Sequence, residues 1–89
     1  VPAERLILDP RARPLLREAV TADPTNDRAQ FWLGVVLLLE GKSAEAVAPL
    51  ESAVRLAPGD TRAKQYLLWA YLQTGAVDKG TALQGELLK

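Results

Sequence analysis

Between Asp27 and Glu40 the chain is apolar at most positions, and these residues sort into two helical stripes rather than one. Ala29, Leu33, Val36 and Leu37 form the first. Phe31, Val35, Leu38 and Leu39, at i, i+4, i+7 and i+8, form the second. A surface helix of a small protein normally carries a single apolar stripe. Turn-forming residues divide the rest of the chain into similar lengths. Asp9, with Pro10 at the first helical position, opens a helix that runs to about Ala22 and stops before Pro24. Asn26 caps the helix from Asp27 to about Glu40, which Gly41 ends. Ser43 caps a third helix that ends near Leu56, before Pro58 and Gly59. Asp60 caps a fourth, from Thr61 to about Thr74, ended by Gly75, and a fifth covers about Val77 to Leu88. Pro14 and Pro49 fall in the first two turns of their helices, where each removes one backbone bond. No segment alternates as a strand does. Connections this short make neighbouring helices antiparallel, so an all-α array is predicted.

The chain also repeats itself. A shift of 34 residues aligns Ala12 with Ala46, Leu16 with Leu50, Ala19 with Ala53, Val20 with Val54 and Pro24 with Pro58. The match continues from Arg28 to Arg62, Ala29 to Ala63, Leu33 to Leu67, Leu38 to Leu72 and Gly41 to Gly75, ten identities in thirty pairs. The shared residues are chiefly small, apolar or turn-forming, the types that packing and loops constrain.

A helix–turn–helix period of 34 residues resembles the tetratricopeptide repeat. Residues 27–60 are similar to one complete repeat. The family pattern W-x2-L-G-x2-Y, A-x3-F, P reads here as Gln30, Leu33, Gly34, Leu37, then Ala46 and Leu50, then Pro58. Residues 61–89 resemble a second repeat cut before its closing Pro, with Leu67, Tyr71 and Gly75 in place. Residues 9–26 resemble the second half of a preceding repeat, and residues 1–8 fall outside the pattern. The resemblance implies an α–α superhelix of about five helices. It places Leu33, Gly34, Ala46, Leu50, Ala53, Pro58, Leu67 and Tyr71 at structural positions. It also implies that Gly34 faces Ala46 where two backbones approach, and that the second repeat exchanges the pair, with Leu68 opposite Gly80. A displaced or frayed last helix would explain the same exchange.

In this family the second stripe of each first helix lines a concave groove that holds a partner's peptide or helix. The resemblance therefore implies a groove of Phe31, Val35, Leu38 and Leu39 followed by Gln65, Trp69, Leu72 and Gln73, with Arg28 and Arg62 at its edge. Trp32 and Tyr66 fall between the stripes and are expected to pack against the preceding helix. One subclass clamps C-terminal carboxylates with Lys, Asn and Arg. Phe31 and Val35 stand at groove positions here, which suits an apolar peptide or an amphipathic helix instead. The alternative is that the stripe is core, covered by Leu6, Ile7 and Leu8, by a neighbouring repeat, or by a second copy of the chain. The chain would then be a structural or homo-oligomerisation element.

Composition narrows the chemistry. Eighty-nine residues suffice for one domain, and eleven basic side chains balance eleven acidic ones. The signs are interspersed, so no basic face emerges for nucleic acid. The chain has no Cys and no His, which removes thiolate chemistry, disulfides and the commonest metal ligand and general base. No acidic loop has metal-ligand spacing and no Gly-rich phosphate loop is present. The acids fall at helix caps and on polar faces, not as a catalytic pair. Arg11, Arg13 and Arg17 form a small basic patch of the kind usually left to solvent. The longest apolar run, Phe31 to Leu39, is far shorter than the roughly 20 residues of a membrane span. Richness in Ala, Leu and Arg suits a GC-rich bacterium, and both cytoplasm and periplasm stay open. The expectation is a non-catalytic interaction module with a protein partner and no cofactor or metal.

Overall fold

The computed structural model describes residues 11–88. Residues 1–8, including Leu6, Ile7 and Leu8, and the Asp9–Pro10 helix start lie outside the described residues. Five helices follow in order: α1 (Ala12–Ala22), α2 (Asp27–Leu39), α3 (Ser43–Leu56), α4 (Thr61–Thr74) and α5 (Val77–Leu87). No strand occurs among the described residues. Each helix packs on the next, and α2 also touches α4 directly. The short connections make α2 and α4 parallel to each other and antiparallel to α3, the arrangement of a helical-repeat array.

The repeat is visible in the backbone chemistry of the helix ends. Asn26 Oδ1 accepts from the Ala29 N–H at 3.2 Å. Its counterpart one repeat later, Asp60 Oδ1, accepts from Arg62 N–H at 3.0 Å and Ala63 N–H at 3.4 Å. Each cap satisfies donors that the first helical turn leaves orphaned. At the other end, Gly41 and Gly75 both have φ of 79°, the left-handed conformation that glycine adopts without a Cβ penalty. Lys42 N–H reaches back to Leu37 O at 2.8 Å, and Ala76 N–H reaches Tyr71 O at 2.8 Å. This is the same C-terminal closure used twice. The α3 start differs from expectation. Lys42 occupies the cap position without a side-chain bond, and Ser43 is already the first helical residue. Pro49 is accommodated within α3.

The core runs through the middle of the array. It gathers Leu33, Leu37, Ala46, Leu50, Ala53, Ala63, Leu67, Ala70, Tyr71 and Leu83. Small residues let the helices come close. A Cβ on Gly34 would fall on Leu50 Cγ and lie 2.7 Å from Leu50 Cδ2. The space above Gly34 therefore belongs to Leu50, one turn beyond the expected Ala46. Helical side chains lean toward the N-terminus of their helix, which carries Leu50 back over that turn. In the second repeat a Cβ on Gly80 would meet Leu72, Leu68 and Tyr71 at 3.5–3.7 Å, ordinary contact distances. Leu68 is thus among its neighbours, as the exchanged pair implies, and α5 is docked through Gly80 and Leu83.

Two polar side chains tie the layers together. Gln30, at the family's Trp position, is buried and donates from Nε2 to Pro24 O at 3.0 Å, pinning the α1–α2 loop. The Tyr71 hydroxyl donates to Glu51 Oε2 at 2.6 Å, joining α4 to α3. Burial, and then the bond to Glu51 with its negative charge, push the Tyr71 phenol far above its ordinary pKa.

Candidate interaction surface

The second stripe of α2 is not an open groove. Phe31, Val35 and Leu38, expected from the sequence to line one, are 5%, 2% and 5% exposed and belong to the core cluster. Phe31 shows how the packing is achieved. Its ring meets Trp32 edge-on with centroids 4.9 Å apart and Tyr66 edge-on at 5.5 Å. The Arg62 guanidinium covers it at 5.4 Å. Edge-to-face rings and a cation over a ring face are favourable geometries, so this stripe is closed by neighbouring side chains as well as by backbone. Of the expected α2 groove residues, Leu39 is exposed near the C-terminal end and Arg28 is exposed in the first turn.

The same stripe on α4 faces outward. Trp69 is 39% exposed and Leu72 60%, and Gln65 and Gln73 are exposed beside them. Arg62, Gln65, Tyr66 and Trp69 line a shallow cleft of about 420 Å³. Tyr66 was expected to pack against the preceding helix. It is half-buried and links the two helices, its ring lying between Phe31 at 5.5 Å and Trp69 at 6.2 Å. The signal available in the sequence was its position one helical turn before Trp69. Arg62 also borders a smaller cleft, about 150 Å³, with Asp27, Arg28, Phe31, Trp32, Ala53 and Asp60. Its Nε is 3.8 Å from Asp60 Oδ1, an oxygen already engaged by two backbone N–H groups.

The first-helix surface thus has two ends. Arg28 and Arg62 occupy the N-terminal turns of α2 and α4, Leu39 and Leu72 lie near the C-terminal ends, and Trp69 stands between. Such a face can bind a chain segment by apolar contact and amide or guanidinium hydrogen bonds. No group of three or more His, Cys, Asp or Glu side chains that could hold a metal ion occurs among the described residues. No helix among them is long and apolar enough to cross a membrane.

The five-helix array, with its repeated caps and left-handed glycines, is that of a helical-repeat module of the protein-interaction and scaffold class. The chain belongs to the tetratricopeptide repeat family, whose model matches residues 10–61. Solved structures of MamA, a protein with such repeats, superpose well. A D159K mutant of MamA aligns with a TM-score of 0.80 and 28% identity, covering 85% of this chain and 42% of that one. MamA from MSR-1 aligns with a TM-score of 0.76 at 28% identity, covering 85% of this chain and 44% of that one. The chain therefore spans less than half the length of these MamA chains. No curated protein matches it significantly.

Proposed function

We propose that the chain holds an apolar or amphipathic segment of another protein against the open face of α4 and so helps assemble a complex. The observation that carries this reading is Trp69. It presents more than a third of its surface to solvent beside a cleft, next to the Tyr66 ring and between exposed Gln65 and Leu72. A rigid indole with large apolar area and a donor at its edge is the side chain most often found anchoring interfaces. The equivalent residue on α2, Val35, is buried.

The test is quantitative. A partner recovered from the source cell is produced recombinantly and titrated against the parent chain and Trp69→Ala. The expected loss is about 2 kcal/mol or more, roughly 30-fold in affinity, with the helical fold retained. Equal affinity for both would reject this surface. Light-scattering mass of the chain alone, across concentrations, shows whether a second copy fills the same face. A dimer abolished by Trp69→Ala would assign the surface to self-association instead.

A further inference from the structure

Resting on that reading, we infer that the segment bound on this face carries a carboxylate side chain at the Arg62 end and a bulky apolar residue at the Leu72 end. The Trp69 cleft is lined by one cation, Arg62, with Gln65, Tyr66 and Trp69, and by no acidic residue. The Arg62 side chain is 69% exposed. Its contacts within the chain leave donors free. The guanidinium lies over the Phe31 ring, and Asp60 stands at the edge of ion-pair distance with its oxygen already occupied at the helix cap. Arg28 adds a second exposed guanidinium at the same end, where Asp27 and Asp60 are the acidic groups of the smaller cleft. At the opposite end Glu40 is paired with Arg13 at 3.0 Å, and Glu45 and Asp78 stand in the first turns of α3 and α5. The surface there offers Leu39 and Leu72.

Exposed guanidinium donors at one end and apolar area at the other give the bound segment a direction. An Arg fork is suited to a carboxylate, which it can hold by two parallel hydrogen bonds. Along the α4 axis Arg62 precedes Trp69 by about 10 Å and Leu72 by about 15 Å, at the usual helical rise. A ligand spans that separation with roughly three to five extended residues, or roughly seven to ten helical ones. The acidic and apolar residues should be spaced accordingly.

A random peptide library displayed on phage, selected on the immobilised chain, tests the inference. Enriched peptides should carry Asp or Glu at one of those two spacings from a Leu, Ile, Phe or Trp. Synthesised individually, they should lose at least about tenfold in affinity for Arg62→Gln and for Trp69→Ala, both checked for unchanged circular dichroism. Peptides that need Trp69 but show no acidic preference, and bind Arg62→Gln as well as the parent, would overturn the carboxylate assignment and leave the surface intact. Failure to enrich, or enrichment of peptides indifferent to Trp69, would overturn the surface reading and this inference with it.

Discussion

Helices α2 and α4 occupy the same place in successive repeats, yet their second stripes have opposite fates. On α2 the residues are Phe31, Val35 and Leu38, all buried. Thirty-four positions later they are Gln65, Trp69 and Leu72, all exposed. The backbone is not the difference, because both helices have a side-chain cap at the equivalent position, the same left-handed glycine and the same C-terminal closure. The difference lies in what the side chains can reach. Phe31 finds the edge of Tyr66 and the Arg62 guanidinium on the next first helix. Trp69 has the Tyr66 ring on one side and open space on another. Each first helix is thus covered partly by the next one in the array. Among the described residues no further first helix follows α4, and its stripe is exposed.

Truncating the two aromatic residues should expose this asymmetry most sharply. Phe31→Ala removes a buried ring touching three side chains and should cost about 3–5 kcal/mol of stability. Trp69→Ala, at a partly solvated position, should cost about 1–2 kcal/mol, consistent with its smaller buried area. Urea unfolding of both variants against the parent measures the two values. Equal losses would mean that Trp69 is a core residue and would remove the basis for an α4 interaction surface.

The close approach of α2 and α3 provides the next test. Gly34→Ala places a methyl group onto Leu50, which is fully buried and has nowhere to move. Overpacking of this kind should cost about 1–3 kcal/mol, despite the better helix propensity of Ala. A thermal melt at or above the parent's Tm would show that α3 shifts freely and that Gly34 is not a packing position.

Much of this organisation was legible in the sequence, for identifiable reasons. Asn26, Asp60, Gly41 and Gly75 act through backbone chemistry within a few residues of themselves, so local spacing located the helix ends. Ser43 was misplaced by one residue because helix α3 begins without any side-chain cap. The surface was harder to read. Periodicity shows that Phe31, Val35 and Leu38 share a face, and carries no information about what covers that face. Arg62 and Tyr66, which close over Phe31, are more than thirty residues away in sequence. Gln30 posed a similar problem. An amide replaces the usual aromatic residue, and its bond to the Pro24 carbonyl depends on loop geometry that no spacing rule supplies.

The Tyr71–Glu51 bond distinguishes the repeats in another way. The equivalent positions one repeat earlier are Leu37 and Arg17, which cannot form it. Tyr71→Phe should cost about 1–2 kcal/mol, toward the low end for hydrogen bonds to charged groups because the Glu51 carboxylate can turn to water. It should also change the alkaline limb of stability. The folded chain holds the phenol proton to a higher pH than the unfolded chain, whose tyrosines titrate near pH 10. The contribution is complete below that pH and declines above it, because the unfolded state then releases a proton that the folded state retains. Between pH 8 and pH 11 the parent should therefore lose more stability than Tyr71→Phe, at up to about 1.4 kcal/mol per pH unit above pH 10. Parallel pH profiles of the two chains would contradict the buried bond.

The smallest expected effects concern α5 and bear on whether the second repeat is as firmly closed as the first. Gly80 stands where the first repeat has Ala46, and Gly85 stands where it has Glu51. A methyl group at Gly80 would make ordinary contacts with Leu72, Leu68 and Tyr71, unlike one at Gly34. At Gly85 it would meet nothing within 4 Å. Neither glycine has a positive φ, so both pay the entropy of a helical glycine without a conformational need. Gly85→Ala should therefore stabilise the chain by about 0.5–1 kcal/mol. Gly80→Ala should match or slightly exceed it, through the added contact with three side chains. Gly80→Leu should fall below both, since the contacts that welcome one carbon leave no room for three more. Differential scanning calorimetry of the three variants gives the order. If Gly80→Leu melts as high as Gly80→Ala, α5 is not seated against Leu68 and Tyr71. If Gly80→Ala gains nothing while Gly85→Ala does, the space beside Gly80 is tighter than these contacts allow.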